Sequence, residues 1–150
     1  IPSVQPTHAT SDMYWAGERL GRNRIRRAYA YQTLLDQLGM VALGTDFPVE
    51  DIDPRKTFLA SVARMDPNGY PTGGFQSNNA LTKVQTLRGM TQWVALAQFQ
   101  EMDLGTIEVG KWADFTWMDR NWLKIEPMDA LGTRILGTCI AGDWVHKSKP

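Results

Sequence analysis

The alternation of apolar and polar positions divides the chain into two parts. Up to about residue 104, short apolar runs alternate with longer stretches whose apolar residues recur at helical spacing. This rhythm is typical of β–α units arranged around a parallel sheet. From about Gly105 onward the runs are short, alternate with a period of two and are punctuated by glycine, which predicts antiparallel strands. We therefore predict an α/β domain over residues 1–104 and a small β module over residues 105–150.

Local signals place the elements of the first part. The segment "IPSVQP" predicts a short strand that stops at Pro6, and a polar-started helix is expected from Asp12 to Leu20. Segments 29–39 and 53–65 carry apolar residues at helical spacing, and the second begins with an Asp-Pro pair suited to a helix start. The apolar run "MVALG" between them predicts a strand buried on both faces.

Three further signals concern turns and caps. Residues 66–79 are dense in glycine, proline and asparagine, which predicts a long loop of the kind that borders substrate pockets. Thr82 and Gln85 fit a capping box at the start of another helix. In the β module, Gly142 and Asp143 are predicted to form a two-residue hairpin turn.

Two candidate site residues follow predicted strands. His8 comes shortly after the first strand, and Asp46 follows the strand at residues 40–44. On a parallel sheet both would emerge at the carboxyl edge, where an imidazole and a carboxylate make part of a metal site or an acid–base pair. Each has a structural alternative: His8 as a polar residue bonded to nearby backbone, and Asp46 as a turn former before Phe47-Pro48.

Composition narrows the functional classes. The chain has 16 basic and 16 acidic residues in 150, so no overall charge attracts nucleic acid or anionic lipid. No apolar run approaches the roughly 20 residues that a membrane span needs. A single cysteine, Cys139, excludes an intrachain disulfide and a cysteine-based zinc site. The start "IPSVQPTH" has neither an initiator methionine nor a signal-peptide pattern, which suggests a portion of a longer polypeptide.

Other polar and aromatic residues leave alternatives open. The basic cluster at residues 21–27 is interpreted as a solvated helix face, and its Arg27 either reaches a substrate carboxylate or forms a surface ion pair. His146, on a predicted terminal strand, is interpreted as surface decoration. The tryptophans suggest either a carbohydrate-stacking surface or core packing, and core packing is expected for those in patterned segments. These are Trp93, Trp112, Trp117 and Trp144.

Four segments together resemble metal-dependent amidohydrolases, in particular the amidohydrolase family 3 branch that includes N-substituted formamide deformylases. They are "SVQPTHATSDMYWA", "ALGTDFPVE", "LTKVQTLRGMT" and "GTIEVGKWADFTWMD", and they span nearly the whole chain. The last resembles the family's G-x-I-x-x-G-K-x-A-D segment, a hairpin of the β-sandwich that follows the barrel. The resemblance implies the C-terminal part of a (β/α)₈ TIM barrel in residues 1–104, about strands 6–8, and strands of a small β-sandwich in residues 105–150.

The resemblance also implies roles for individual residues. His8 matches the family's metal-binding or substrate-polarising histidine after the sixth strand, and Asp46 matches the aspartate after the eighth, which helps hold metal and acts as general base. Phe47 and Pro48, in the turn beside Asp46, are candidates for substrate binding. The implied reaction is attack by metal-activated water on a non-peptide carbon–nitrogen bond of a small-molecule amide. The implied cofactor is a divalent metal ion, zinc in the first instance, which lowers the pKa of its water from about 15.7 towards 7.

The chain departs from the family pattern in its histidines. The family needs a His-x-His pair on the first barrel strand, a bridging lysine or acid and a further histidine, whereas this chain has only His8 and His146. A barrel also needs roughly 250 residues. We therefore expect a hydrolase fragment that is inactive alone and pairs with the missing N-terminal half, with homo-oligomers as another way to cover its open edges. The alternative is a non-catalytic remnant or assembly module, and the coding sequence upstream of Ile1 would discriminate the two.

Overall fold

A computed structural model describes residues 1–149 of the chain. The helices are α1 (Pro6–Asp12), α2 (Ala16–Arg24), α3 (Tyr31–Leu38), α4 (Pro54–Ala63), α5 (Lys83–Met90) and α6 (Gln92–Ala97). The strands are β1 (Ser3–Val4), β2 (Ala42–Leu43), β3 (Phe115–Met118), β4 (Ile135–Ile140) and β5 (Asp143–Lys147). Within residues 1–149, no helix is both long and apolar enough to cross a lipid bilayer.

The first part of the chain is built on a parallel pair of strands. β1 and β2 pair in parallel, with Ser3 opposite Ala42 and Val4 opposite Leu43. Side chains from α1, α3 and β2 bury a common apolar cluster around this pair: Ala9, Tyr31, Leu35, Val41, Leu43 and Leu81. The strand predicted from the continuous apolar run is confirmed, because Val41, Ala42 and Leu43 are all buried.

The strand count differs from the expectation of about strands 6–8. Residues 1–104 contain two strands, and residues 5–41 between them form helices and turns only. In a (β/α)₈ barrel, parallel strands that pair directly are consecutive, so if β2 is the eighth strand, β1 is the seventh and not the sixth. The α/β character is confirmed, whereas membership of a complete barrel stays a prediction.

The helix boundaries agree with several of the capping signals in the sequence and contradict one predicted helix start. Gly39 ends α3 in the left-handed conformation (φ 73°), and the Asp53 side chain accepts a hydrogen bond from the Arg55 amide at the start of α4. The capping box of Thr82 and Gln85 is present in full at α5. The prediction of one helix from Asp12 to Leu20 was wrong. Asp12 ends α1, which starts at Pro6 because proline suits the first helical position.

The β module is a three-stranded antiparallel sheet in the order β3–β4–β5. Its hairpin turn lies at Ala141 and Gly142, one residue earlier than predicted, because Ile140 pairs directly with Asp143. Both turn residues have positive φ, at 52° and 88°, as a two-residue hairpin turn of type I′ requires. His146 lies exposed on β5, as predicted.

Two expectations for the module were wrong. The segment 105–114 contains no strand, because no strand lies beside it among residues 1–149, and its Ile107 and Val109 side chains are exposed. Trp112, Trp117 and Trp144 are exposed rather than packed in a core. Both differences have the same physical reason: within residues 105–149 one sheet is present, and no second sheet of this module covers it.

A second apolar cluster joins the module to the first part. Phe58 of α4 packs on Trp122, with ring centroids 4.6 Å apart, and Ala130 completes the buried cluster. The Trp122 indole donates a hydrogen bond of 2.8 Å to the Thr133 hydroxyl, so its polar group is satisfied inside the protein. The helix α4, which follows Asp46, is therefore packed against the β module.

Replacing Gly89 tests the packing that positions β2. A Cβ at Gly89 would lie 2.6 Å from Leu43 Cγ and 3.0 Å from the Val41 carbonyl oxygen, closer than packed atoms lie. We expect Gly89→Ala to lower the free energy of unfolding by about 1–3 kcal/mol, measured from the urea midpoint of the intact protein. In Gly17→Ala the new Cβ meets nothing within 4 Å, so this control should be neutral or gain up to about 1 kcal/mol. Equal effects in the two variants would contradict the packing argument.

Candidate active site

The two predicted site residues lie together at the carboxyl ends of the paired strands. His8 is the third residue of α1, which begins two residues after β1 ends, and Asp46 lies three residues after β2. The His8 Nε2 atom is 3.5 Å from Asp46 Oδ2. The convergence predicted from the sequence is therefore observed, because parallel pairing delivers both chain ends to one edge of the sheet.

The ring nitrogen of His8 that lies nearest Asp46 is Nε2. Nε2 is buried and has no hydrogen-bond partner among the described residues, although the side chain as a whole keeps 28% of its surface exposed. A buried polar atom without a partner is costly, by about 1–3 kcal/mol. The alternative in which the ring bonds to nearby backbone is not what the structure shows, and the free nitrogen points to a ligand or reacting group beside Asp46.

Asp46 lies in a strained turn that aims its side chain. Its backbone has φ 57°, in the left-handed region, and its carbonyl oxygen accepts a 2.8 Å hydrogen bond from the Val49 amide. Within residues 1–149 the carboxylate accepts no backbone hydrogen bond of the kind an Asx turn requires, and 47% of the side-chain surface is exposed. The turn is made by the backbone of Asp46, which leaves the carboxylate available for chemistry.

The donor set fits part of a divalent metal site. An imidazole nitrogen without a partner and a carboxylate oxygen 3.5 Å away are ligand types that zinc accepts. A catalytic zinc ion takes three protein ligands. Residues 1–149 contain no group of three or more His, Cys, Asp or Glu residues that would hold a metal ion. His8 and Asp46 therefore fit the group but do not complete its coordination sphere.

Phe47 and Pro48 follow Asp46 on the surface. Phe47 is 60% exposed, and the pair is joined by a cis peptide bond. Neither residue lines either of the two cavities described below. Their predicted role in substrate binding stays a prediction.

A small cleft lies between α1 and the loop that follows Asp46. Its volume is about 240 Å³, and Ser11 on its wall donates a 2.6 Å hydrogen bond to Glu50. The Tyr14 hydroxyl donates a 2.5 Å hydrogen bond to Asp66 at the opposite side. Burial acts to raise the pKa of Asp66, but the hydrogen bonds from Tyr14 and from the Tyr70 and Asn68 amides outweigh it and lower that pKa. These bonds tie Glu50 to α1 and Asp66 to the turn that follows α1.

A larger cavity opens beside His8. It has a volume of about 550 Å³ and is lined by Gln5, His8, Arg26, Arg27, Tyr29 and Tyr31, among others. Ligand pockets for small molecules occupy about 300–1,000 Å³, so this cavity has the size of a substrate site and the 240 Å³ cleft does not. Sequence reasoning missed Arg26 because it treated residues 21–27 as one solvated face. Gly21, at φ 73°, breaks that helix and redirects the residues after it.

The long loop at residues 66–79 is anchored through a buried arginine. Arg64, fully buried, donates hydrogen bonds to the Phe75 carbonyl (2.9 Å) and the Tyr29 carbonyl (3.2 Å). Its guanidinium lies 4.9 Å from the centre of the Tyr31 ring, and burial lowers its pKa. Arg64 thus ties the predicted loop to the segment that walls the cavity. That the loop at residues 66–79 borders the substrate pocket stays a prediction.

Comparison with known proteins identifies the family of the chain. The family model described as "Amidohydrolase family" matches residues 1–146. Two solved structures of uncharacterized metal-dependent hydrolases are similar: one from Pyrococcus furiosus (28% identity, TM-score 0.68) and one from Pyrococcus horikoshii OT3 (29%, TM-score 0.72). The match to the first covers 81% of this chain and 24% of the other, and the match to the second covers 83% of this chain and 25% of the other. The chain therefore belongs to the amidohydrolase family, as the sequence resemblance indicated.

Two curated relatives match almost the whole chain. Protein LONG AFTER FAR-RED 3 of Arabidopsis thaliana is 31% identical over 97% of this chain and 25% of its own length. YtcJ of Bacillus subtilis (strain 168), whose name describes it as an amidohydrolase, is 28% identical over 96% of this chain and 27% of its own length. The chain thus spans about a quarter of the length of the relatives that it matches.

Proposed function

We propose that this chain is part of a metal-dependent hydrolase that cleaves carbon–nitrogen bonds of small-molecule, non-peptide amides. The observation that carries the proposal is the buried, unpartnered Nε2 of His8, 3.5 Å from the exposed carboxylate of Asp46 at the carboxyl ends of two paired strands. Family membership and the two metal-dependent hydrolase structures support it. The length of the relatives supports the idea that further site residues come from elsewhere in a longer parent protein.

His8 and Asp46 are the residues of this chain that would hold a divalent metal ion, and we propose zinc because nitrogen and carboxylate ligands suit it. When bound, the ion supplies Lewis-acid polarisation and a more acidic water. His8 uses the nitrogen that makes no hydrogen bond in the protein. If β1 is the seventh barrel strand, His8 follows the seventh strand and not the sixth, after which the family resemblance places it. A role in polarising the substrate carbonyl then fits it as well as a role as ligand.

Asp46 is proposed as the general base. Its Oδ2 accepts a proton from the attacking water while the water oxygen forms a bond with the carbonyl carbon. The carbon–nitrogen bond then breaks, and Asp46 passes that proton to the nitrogen of the leaving amine. The products are a carboxylic acid and an amine, and the carboxylate returns to its starting state. The exposure of the Asp46 side chain gives water direct access to it.

An assay of the intact parent protein tests the proposed function. N-formyl amines are the first substrates to examine, because the sequence resembles N-substituted formamide deformylases, and N-acetyl amines extend the range. Release of formate or acetate is measured together with bound metal by elemental analysis. We expect hydrolysis that is lost with a chelator and restored by zinc. Bound metal without hydrolysis of any carbon–nitrogen substrate would contradict the proposed reaction class.

A non-catalytic assembly module is the second candidate function. It is favoured by the exposed apolar side chains of the β module, among them Val109, Trp112 and Trp117. Large apolar side chains exposed on one small module are typical of a contact surface. In the hydrolase proposal the same surface is covered by the rest of the parent protein. A parent protein that binds no metal would favour the module over the hydrolase.

A further inference from the structure

The cavity beside His8 is positively charged on its walls. Arg26 and Arg27 line it, and among the described residues that line it none is aspartate or glutamate. Arg26 is hydrogen-bonded to the Asn23 side chain (2.7 Å), and neither arginine forms an ion pair with a carboxylate of residues 1–149. Unpaired guanidinium groups on the wall of a cavity attract an anionic group of a ligand.

The wall that carries the arginines is fixed at several points. Directly before them, the Ile25 carbonyl accepts a 2.6 Å hydrogen bond from Gln76. Two residues after Arg27, the Tyr29 hydroxyl donates to Asp12 (2.7 Å) while the Tyr29 carbonyl accepts from Arg64 (3.2 Å). A backbone held on both sides in this way loses little conformational freedom when a ligand binds, and this favours affinity.

The two tyrosines on the wall do not compete with an anion. The Tyr31 hydroxyl donates a 3.0 Å hydrogen bond to the Gln5 carbonyl, and burial raises the pKa of Tyr31 to about 12. Burial and the hydrogen bond to Asp12 also raise the pKa of Tyr29 well above its ordinary value. Both phenols are therefore neutral at physiological pH, and the cavity keeps the positive charge of the arginines.

We propose that the cavity lined by Arg26 and Arg27 is a subsite for an oxyanion group of the substrate, so that the enzyme prefers amides carrying a carboxylate or phosphonate. This inference rests on the proposed function, since His8 belongs both to the candidate active site and to this cavity. The planar guanidinium forms paired hydrogen bonds with either oxyanion, and such charge-assisted bonds are about twice as strong as neutral ones.

The test compares substrates that share a formamidopropyl chain and differ in the terminal group. The intact protein is assayed for formate release from 4-formamidobutanoate, its neutral carboxamide, and 3-formamidopropylphosphonate. We expect kcat/KM for at least one oxyanion substrate to exceed that for the carboxamide by about 10- to 100-fold, the range of one or two charged hydrogen bonds. In Arg26→Gln and Arg27→Gln this preference should fall by about 10-fold or more, through KM. A preference for the phosphonate substrate but not for the carboxylate substrate would still support the subsite and would identify phosphonate as its anion.

A control variant and a binding measurement separate this inference from the proposed function. Arg22→Gln removes an exposed arginine of the same cluster that does not line the cavity, so it should keep the wild-type preference. Binding of 4-formamidobutanoate and of its carboxamide is measured by calorimetry on the intact protein, whether or not hydrolysis occurs. Binding that favours the anion, without turnover, would contradict the hydrolase and keep the subsite. Equal binding of the two compounds, or equal losses in all three variants, would overturn the subsite.

Discussion

Replacing Asp46 by asparagine in the intact protein is expected to lower kcat by about 10²- to 10⁴-fold, the range for loss of a general base. Asparagine keeps the shape of the side chain and still offers an oxygen, but it does not accept a proton at neutral pH. The turn itself should persist, because it is closed by the backbone carbonyl of residue 46 and not by the carboxylate. The thermal midpoint should therefore stay close to that of the wild type.

Asp36→Asn is the matched control for this substitution. Asp36 is an exposed residue of α3 whose carboxylate accepts a hydrogen bond from Gln32, and the change removes the same charge away from the site. Its kcat should equal that of the wild type. Bound metal is measured in all three proteins, since loss of metal from Asp46→Asn would mark a ligand role beside the proton transfer. Wild-type turnover in Asp46→Asn would end its assignment as base.

The sequence was informative at several places where a local signal decides the structure. The cap of α4 at Asp53, the capping box of Thr82 and the glycine stop at Gly39 are short-range features, and all three are present. The pairing of His8 with Asp46 was also predictable, because any two parallel neighbouring strands place their carboxyl ends together. That prediction needed the strand positions alone and no knowledge of side-chain packing.

Long-range partners decided two features that the sequence did not predict. The pattern of residues 105–114 is that of a strand, but a strand forms only beside another, and within residues 1–149 none is there to pair with it. The cavity wall at Arg26 likewise depends on contacts with Gln76 and Arg64, which lie about forty to fifty residues later in the chain. Helical periodicity carries no information about such contacts.

The 150-residue chain alone is expected to hydrolyse no amide and to retain no tightly bound zinc, because His8 and Asp46 supply at most two of the three protein ligands that a catalytic zinc takes. Its surface also favours association. In the described residues β1 pairs on one edge only, with β2, and the side chains of Val109, Trp112 and Trp117 are exposed. Unpaired strand edges and apolar patches recruit other chains, so we expect oligomers or aggregates of the isolated chain.

Mixing the chain with the separately expressed preceding part of the parent protein should then generate activity. The relatives are about four times as long as the matched region, which is the reason to seek the remaining ligands and the covering strands outside that region. The measurements are formate release, bound zinc and mass in solution, for each piece alone and for the mixture. An Asp46→Asn chain serves as the control, since it should assemble with the preceding part and yet restore about 10²- to 10⁴-fold less turnover. A monomeric, cooperatively folded chain that hydrolyses amides by itself would refute the proposal that it is one part of a divided site.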